Sequence, residues 1–350
     1  MPESRYPDFG LMLIDARAVS ATLDEDEQHT LTVIHDAYLA FDRGECVNPP
    51  SLFLRFPTLP SCRTIALPAI SASPSPMAGI KWISSFPQNV ARGFARASSV
   101  IVLNDMESGY PIALLEGSVI SATRTAASAA ITARALLPQG ATCLGIIGAG
   151  LIARETLRYL AAAGIKPAVI RVHDLDPRRA VAFAEQAARH VPGAKFETVG
   201  VEEALSASEL VVFATIASEP HVHDASLFAH HPVVLHLSLR DLDPAIILSA
   251  ENIVDDFEHV TTANTSIHLA SQADSAGEVE TQTIGSLLMA PRNEGRRERT
   301  TIVSPFGLGV LDIALGTDVA ERCRASGRGT HLAEFFSGDT VPLTADGMAS

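Results

Sequence analysis

The run CLGIIGAGLIAR, residues 143–154, constrains what this chain can fold into more tightly than any other. An apolar strand leads into Gly148-x-Gly150-x-x-Ala153, and an apolar helical pattern follows at once. Each small residue answers a separate steric demand. Gly148 lets the chain turn tightly, Gly150 lets a pyrophosphate reach the backbone, and Ala153 lets the helix lie against the sheet. With Leu151 and Ile152 between them they predict a dinucleotide-binding turn, and the strand before and helix after make that reading specific. The next strand, AVIRVHD, ends in Asp174, where a carboxylate holds adenosine ribose hydroxyls and repels a 2′-phosphate. The expected cofactor is NAD rather than NADP, with Arg178 and Arg179 near enough in sequence to soften the preference.

The nucleotide unit starts near residue 141, so the chain ahead of it needs a different architecture. Residues 19–42 read as one helix, opened by Thr22-x-x-Glu25 as a capping box. Short β-like runs follow at 51–56, 63–70, 78–86, 98–105 and 110–117, the last two joined by the turn MESG. Such spacing predicts a mostly antiparallel sheet. Residues 118–137 are Ala-rich and apolar on most faces, as in a buried helix that Pro138 ends. Beyond it, strands and helices alternate, the pattern of a parallel sheet wrapped by helices. A helical stretch is expected near 278–290, and SASPSP (71–76) and APRNEGRRER (290–299) read as loops. The fold class is α/β: a Rossmann parallel-sheet domain over 126–311, plus a β-rich α+β substrate and dimerisation domain over 1–125, completed by about 312–350.

Composition excludes several functions. No apolar run reaches the ~20 residues of a membrane span, and the opening MPESRYPDFG has no basic segment followed by an apolar core, so no export signal is expected. Four scattered cysteines without a CxxC pair fit reduced thiols in a cytoplasm. A net charge of −14 with dispersed arginines argues against nucleic acid. HVH at 221–223 and HH at 230–231 lack a spaced third ligand, so no metal is expected.

Two cations stand out. The chain has 26 Lys+Arg, yet lysine occurs only at 81, 166 and 195, and Lys81 sits inside the strand-like AGIKWISSFP beside the sole tryptophan. Burial can lower a lysine pKa until the amine exchanges protons near neutrality, which an arginine does not do. Arg124 is the one charge in the small, apolar run SATRTAASAA and must meet an anion or water there; a substrate carboxylate and Glu116 are both candidates.

The ordered set GIKWISSFP, LNDMESGYPIALLEG, SATRTAASAA, GIIGAGLIAR and FGLGVLDIALG resembles the ornithine cyclodeaminase/μ-crystallin family over most of the chain. LFLRFP, GIKWISSFPQN and HLSLRDLDP look most like its branch of N-[(2S)-2-amino-2-carboxyethyl]-L-glutamate dehydrogenases, which act in 2,3-diaminopropionate biosynthesis for siderophores and antibiotics. The resemblance implies a homodimer whose N-terminal domain carries the substrate groups and whose segment after about 310 returns to it. It implies Lys81 as the active-site lysine, Arg55 and Arg124 as carboxylate ligands, Asp241 as the catalytic aspartate facing the nicotinamide, and Thr215 beside the cofactor. The family's usual Gly-x-Asp is here Leu239-Arg240-Asp241.

The implied chemistry is hydride loss from the glutamate Cα to NAD, hydrolysis of the imine, and release of 2-oxoglutarate and L-2,3-diaminopropionate. Lys81 and Asp241 are the candidates for the proton transfers. Two arginines are few for three carboxylates, so further donors such as Ser84, Ser85 or backbone amides are expected. The competing readings are a cyclodeaminase that recycles its NAD, an imine reductase, and a non-catalytic ligand-binding protein.

Overall fold

The structure, a computed structural model, describes residues 10–273, 279–290 and 298–336. Most of the opening MPESRYPDFG and of the basic run 292–299 lie outside them. Strand β1 (Leu11–Ile14) leads into α1 (Ala16–Leu23) and α2 (Glu27–Asp42). The single helix expected over 19–42 is thus two. Asp15 and Asp26 each accept a backbone N–H as N-caps, from Ala18 and His29, and so start separate helices. Thr22 is no cap; it is buried in α1 with its Oγ1 3.3 Å from Cys323 Sγ.

Strands β2 (Leu52–Phe56), β3 (Leu59–Ser71), β4 (Met77–Ser85), β5 (Ala97–Asn104) and β6 (Pro111–Glu116) form an antiparallel meander. β1 adds to β6 in parallel. Helix α3 (Gly117–Leu136) follows β6 directly, because the Glu116 carboxylate caps it by accepting from the amides of Ser118 and Val119. Glu116 is therefore not the partner of Arg124. The helix runs unbroken through the expected 125/126 boundary.

The nucleotide half contains β7 (Cys143–Ile147), α4 (Leu151–Ala162), β8 (Val169–His173), α5 (Pro177–Ala187), β9 (Lys195–Thr198), α6 (Val201–Ser206), β10 (Leu210–Phe213) and β11 (Val233–His236). It continues through α7 (Pro244–Ser249), β12 (Glu251–Val254), α8 (Phe257–Val260), α9 (Ser266–Ala273), β13 (Thr281–Thr283), α10 (Ile284–Met289) and β14 (Thr301–Ser304). Its sheet is wholly parallel, in the order β13-β12-β14-β11-β10-β7-β8-β9. The helix expected near 278–290 is shorter, because Thr281–Thr283 joins the edge of the sheet and Thr283 then caps α10. Strand order reverses between β7 and β10. Ligands of such sheets bind in the crevice outside the carboxyl ends at that switch.

Helix α11 (Gly309–Ser326) leaves the end of β14 and crosses to the first sheet, where β15 (Thr330–Leu332) pairs with β1. The seven-stranded first sheet is ordered β15-β1-β6-β5-β4-β3-β2. Close approach of α11 depends on Gly79, where an added Cβ would lie 2.5 Å from Val102 O and 2.8 Å from Ile313 Cδ1. Gly79→Ala is expected to cost about 1–3 kcal/mol through overpacking. Chemical denaturation measures this, and unchanged stability would mean that α11 is not seated there.

Candidate active site

Strand alternation turns Lys81, Ile83 and Ser85 to one face of β4 and Trp82 and Ser84 to the other. α11 covers the Lys81 face. Lys81 is 2% exposed, and its Nζ donates to Asp312 Oδ2 at 2.5 Å and to Ser121 Oγ at 3.3 Å. Arg124 donates through Nε to the other oxygen of the same carboxylate, Oδ1, at 3.2 Å. Asp312 is fully buried, so one carboxylate from α11 holds a lysine from β4 and an arginine from α3. Burial drives the Lys81 ammonium down to about 8, against the pull of Asp312 and with help from Arg124. The amine is thus tuned for proton exchange near neutrality.

Gly307 presses on Arg124. It sits at φ +103, and an added Cβ would lie 2.7 Å from Nη2 and 2.8 Å from Nη1. The buried Asp255 pins this turn by accepting from the amides of Phe306 and Gly307 at 3.0 and 2.5 Å. Phe306 then lines a cleft of about 300 Å³ between the two halves, with Phe53 and Arg55 on one wall and Glu258, His259, Thr262 and Ala263 on the other. Arg55 is exposed, its guanidinium 5.6 Å from the Phe53 ring centre.

Asp241 forms a second centre, beyond the end of β11. Thr215 and Ser238 donate to it at 2.5 Å each, and Nε2 of His221 and of His236 lie 3.0 and 3.2 Å from its oxygens. Burial works to raise this carboxyl, but the hydrogen bonds from His221, His236 and Ser238 outweigh it and hold it well below the usual carboxylate range. Leu239 ahead of it adopts φ +70, a left-handed conformation that suits glycine.

At the nucleotide turn, Gly148 has φ +93, and an added Cβ would lie 2.6 Å from Ala214 O. Gly150 faces open space and begins α4 without a side-chain cap, leaving the first amides of the helix to an anion. Leu151 is half exposed, Ile152 less so, and Ala153 is fully buried against the sheet. Asp174 closes the turn, accepting from Ala149 N at 2.9 Å and from Asp176 N at 3.0 Å. Thr215, just past β10, bounds the other side of the switch point. These residues fit a dinucleotide: a cramped glycine, an open one, free helix amides and a carboxylate at the adjacent strand end.

Lys81 and Arg124 thus share a carboxylate, while Asp241 and Thr215 belong to a separate network. Of the suggested extra donors, Ser84 bonds Thr64 on the face away from Lys81, whereas Ser85 shares the Lys81 face. Asp312 escaped the reading of the sequence, though it is the single acid in FGLGVLDIALG and the signal was the one that singled out Arg124. His221, weighed only as a metal ligand, and His236 belong to the Asp241 centre. Among the described residues no group of His, Cys, Asp and Glu forms a metal cluster.

The family model for ornithine cyclodeaminase/mu-crystallin matches residues 15–327. The chain belongs to this family. It is 29% identical over 77% of its length to N-((2S)-2-amino-2-carboxyethyl)-L-glutamate dehydrogenase of Staphylococcus aureus, covering 82% of that protein. It is 26% identical over 93% of its length to an alanine dehydrogenase of Archaeoglobus fulgidus, covering 98% of it. Among solved structures, CmnK superposes with a TM-score of 0.82 at 26% identity, covering 93% of this chain and 99% of that one. The Δ1-pyrroline-2-carboxylate reductase of Thermococcus litoralis, in complex with NADH and L-proline, shares the fold with a TM-score of 0.83 at 22% identity, covering 91% and 99%. Against the family's Gly-x-Asp, this member holds Leu239 in the backbone conformation that glycine would adopt freely.

Two outcomes follow. Asp312→Asn leaves two buried cations without their anion and is expected to destabilise the fold by about 3–5 kcal/mol. It also removes what raises the Lys81 pKa, so any rate limb set by Lys81 moves to lower pH; an unmoved limb would separate Lys81 from Asp312. Asp174→Ala is expected to weaken NAD binding and narrow its preference over NADP, and an unchanged ratio of kcat/KM for the two cofactors would refute the ribose assignment.

Proposed function

We propose that this family member oxidatively cleaves N-[(2S)-2-amino-2-carboxyethyl]-L-glutamate to 2-oxoglutarate and L-2,3-diaminopropionate. It is an enzyme, an oxidoreductase of the CH–NH bond, and its cofactor is NAD. The observation that carries the reading is the buried pair of cations on Asp312, one of them a lysine tuned to about 8. The Staphylococcus aureus relative supports the particular substrate.

Arg124 and Arg55 hold carboxylates, and the fork of Arg124 beside Gly307 fixes the reacting end. Lys81 takes the proton of the secondary amine as the C–H bond breaks. Bound NAD supplies the acceptor for the hydride that leaves the glutamate Cα. Water then adds to the imine carbon, and collapse of the carbinolamine breaks the C–N bond. Asp241 stays ionised and acts through His221, whose Nε2–H it receives; the ring is 42% exposed and can meet that water. The balance is substrate, NAD⁺ and water in, and two products, NADH and a proton out. The proposed substrate half, 1–125 with about 312–350, and nucleotide half, 126–311, divide within helices α3 and α11.

A homodimer accompanies this reading. The sheet face opposite Lys81 carries exposed Leu52, Leu54, Trp82 and Val100 in one patch, and the archaeal alanine dehydrogenase of the same fold is described as a dimer with bound NAD. No helix among the described residues is long and apolar enough to cross a membrane. The four free cysteines suit a cytoplasmic enzyme.

The test is NADH formation with the aminocarboxyethyl-glutamate and identification of 2-oxoglutarate. Proline and ammonia from ornithine without net NADH would replace the proposal with a cyclodeaminase. Lys81→Arg is expected to fold and bind NAD but lose turnover; an active variant would make the lysine structural. Because only the neutral amine accepts a proton, kcat/KM should fall about tenfold per pH unit as pH drops below about 8. A flat profile through that range would contradict the role of Lys81.

A further inference from the structure

Many arginines among the described residues have carboxylate partners, as at Arg43, Arg158, Arg178 and Arg322. One group has none. Arg55 and Arg63 lie directly opposite each other across β2 and β3, an arrangement in which like charges repel. Arg63 faces Ser85 across β3 and β4, and Ser85 Oγ accepts from Arg96 Nη1 at 3.0 Å. Arg55, Arg63 and Ser85 therefore form a row on the sheet face that carries Lys81, with Arg96 at its end. Arg240 approaches from the nucleotide half, donating Nε and Nη2 to Ala263 O at 3.1 and 2.8 Å, and Ala263 lines the same cleft as Arg55. Burial and then the charges of Arg240, Arg96 and Arg55 lower the pKa of Arg63. Among the described residues none of these four arginines makes an ion pair, although Glu258 lines the cleft beside Arg55. Three half-buried cations and one exposed cation gathered without an ion pair suit a site completed by an anionic ligand.

We propose that Arg63, with Arg96 and Arg240, is a second carboxylate subsite that selects substrates carrying a carboxylate remote from the reacting carbon. This rests on the amino-acid dehydrogenase reading and deepens it. Phe306 and Gly307 join the two subsites: Gly307 touches Arg124, and Phe306 lines the cleft of Arg55. A ligand anchored at Arg124 and extending past Phe306 brings its distal carboxylate to the row. Arg63 is the selector because it stands between Arg55 and Ser85 and its guanidinium makes no side-chain hydrogen bond among the described residues.

The test compares two probes by calorimetry on the full chain with NADH: 2-oxoglutarate, and 2-oxobutanoate, which lacks the distal carboxylate. Wild type should bind 2-oxoglutarate more tightly by about ten- to a hundredfold, the worth of a hydrogen bond to a charged group. Arg63→Leu should abolish that gap without weakening 2-oxobutanoate, and Arg63→Lys should restore part of it. Equal affinities in wild type, or a gap that survives Arg63→Leu, would overturn the subsite. Turnover of the aminocarboxyethyl-glutamate is scored separately. Turnover in which Arg63→Leu leaves KM unchanged sinks the subsite and spares the substrate assignment. An Arg63-dependent gap without turnover spares the subsite and sinks that assignment.

Discussion

The Asp312 carboxylate is the interaction on which the rest of the site depends. It is the anion for both Lys81 and Arg124, and it arrives on a helix that begins where the last strand of the parallel sheet ends. One buried group thereby fixes a strand of the first sheet, β4, against the two helices α3 and α11. Such an arrangement is weak evidence for stability, since desolvating the ions offsets much of their attraction. Its use here is positional and electrostatic. It keeps a lysine in an apolar strand, where burial lowers the pKa, and limits how far that lowering goes.

The division of charge has the same logic. The surface is acidic overall, with a net charge of −14, while cations collect between the two halves of the molecule. Arg124 and Lys81 lie deep and share an anion; Arg55, Arg63, Arg96 and Arg240 lie in or beside the cleft without one. Next to Arg240 in the chain, Asp241 is held by two histidines and two hydroxyls beyond the end of β11. Such an arrangement suits the multiply charged substrate proposed above, with the ionised Asp241 network apart from the cations.

What was legible in the sequence was what neighbouring residues decide. The turn at Gly148 and Gly150, the strand around Lys81 and the buried α3 all depend on local spacing, and each stands where it was expected. The break between α1 and α2 was missed because the span read as one helix contains a second N-cap, Asp26, whose carboxylate accepts from His29 N and starts a new helix. The partner of Arg124 was beyond reach for a different reason. Glu116 is near in sequence but occupied in capping, whereas Asp312 lies 188 positions away and meets Arg124 only through the crossing of α11. The Asp241 centre likewise draws His221, His236 and Thr215 from separate loops and strand ends, which no single window contains.

The most direct measurement is the titration of Lys81 itself, followed through its side-chain carbon resonance in protein labelled at lysine. Only three lysines contribute signals, and a Lys81→Arg sample identifies the one that matters. The expected midpoint for the folded protein is about 8. A midpoint of about 10.4, the value of a free lysine, would contradict it: the amine would then be an ordinary ammonium, and the shared carboxylate would be architecture alone.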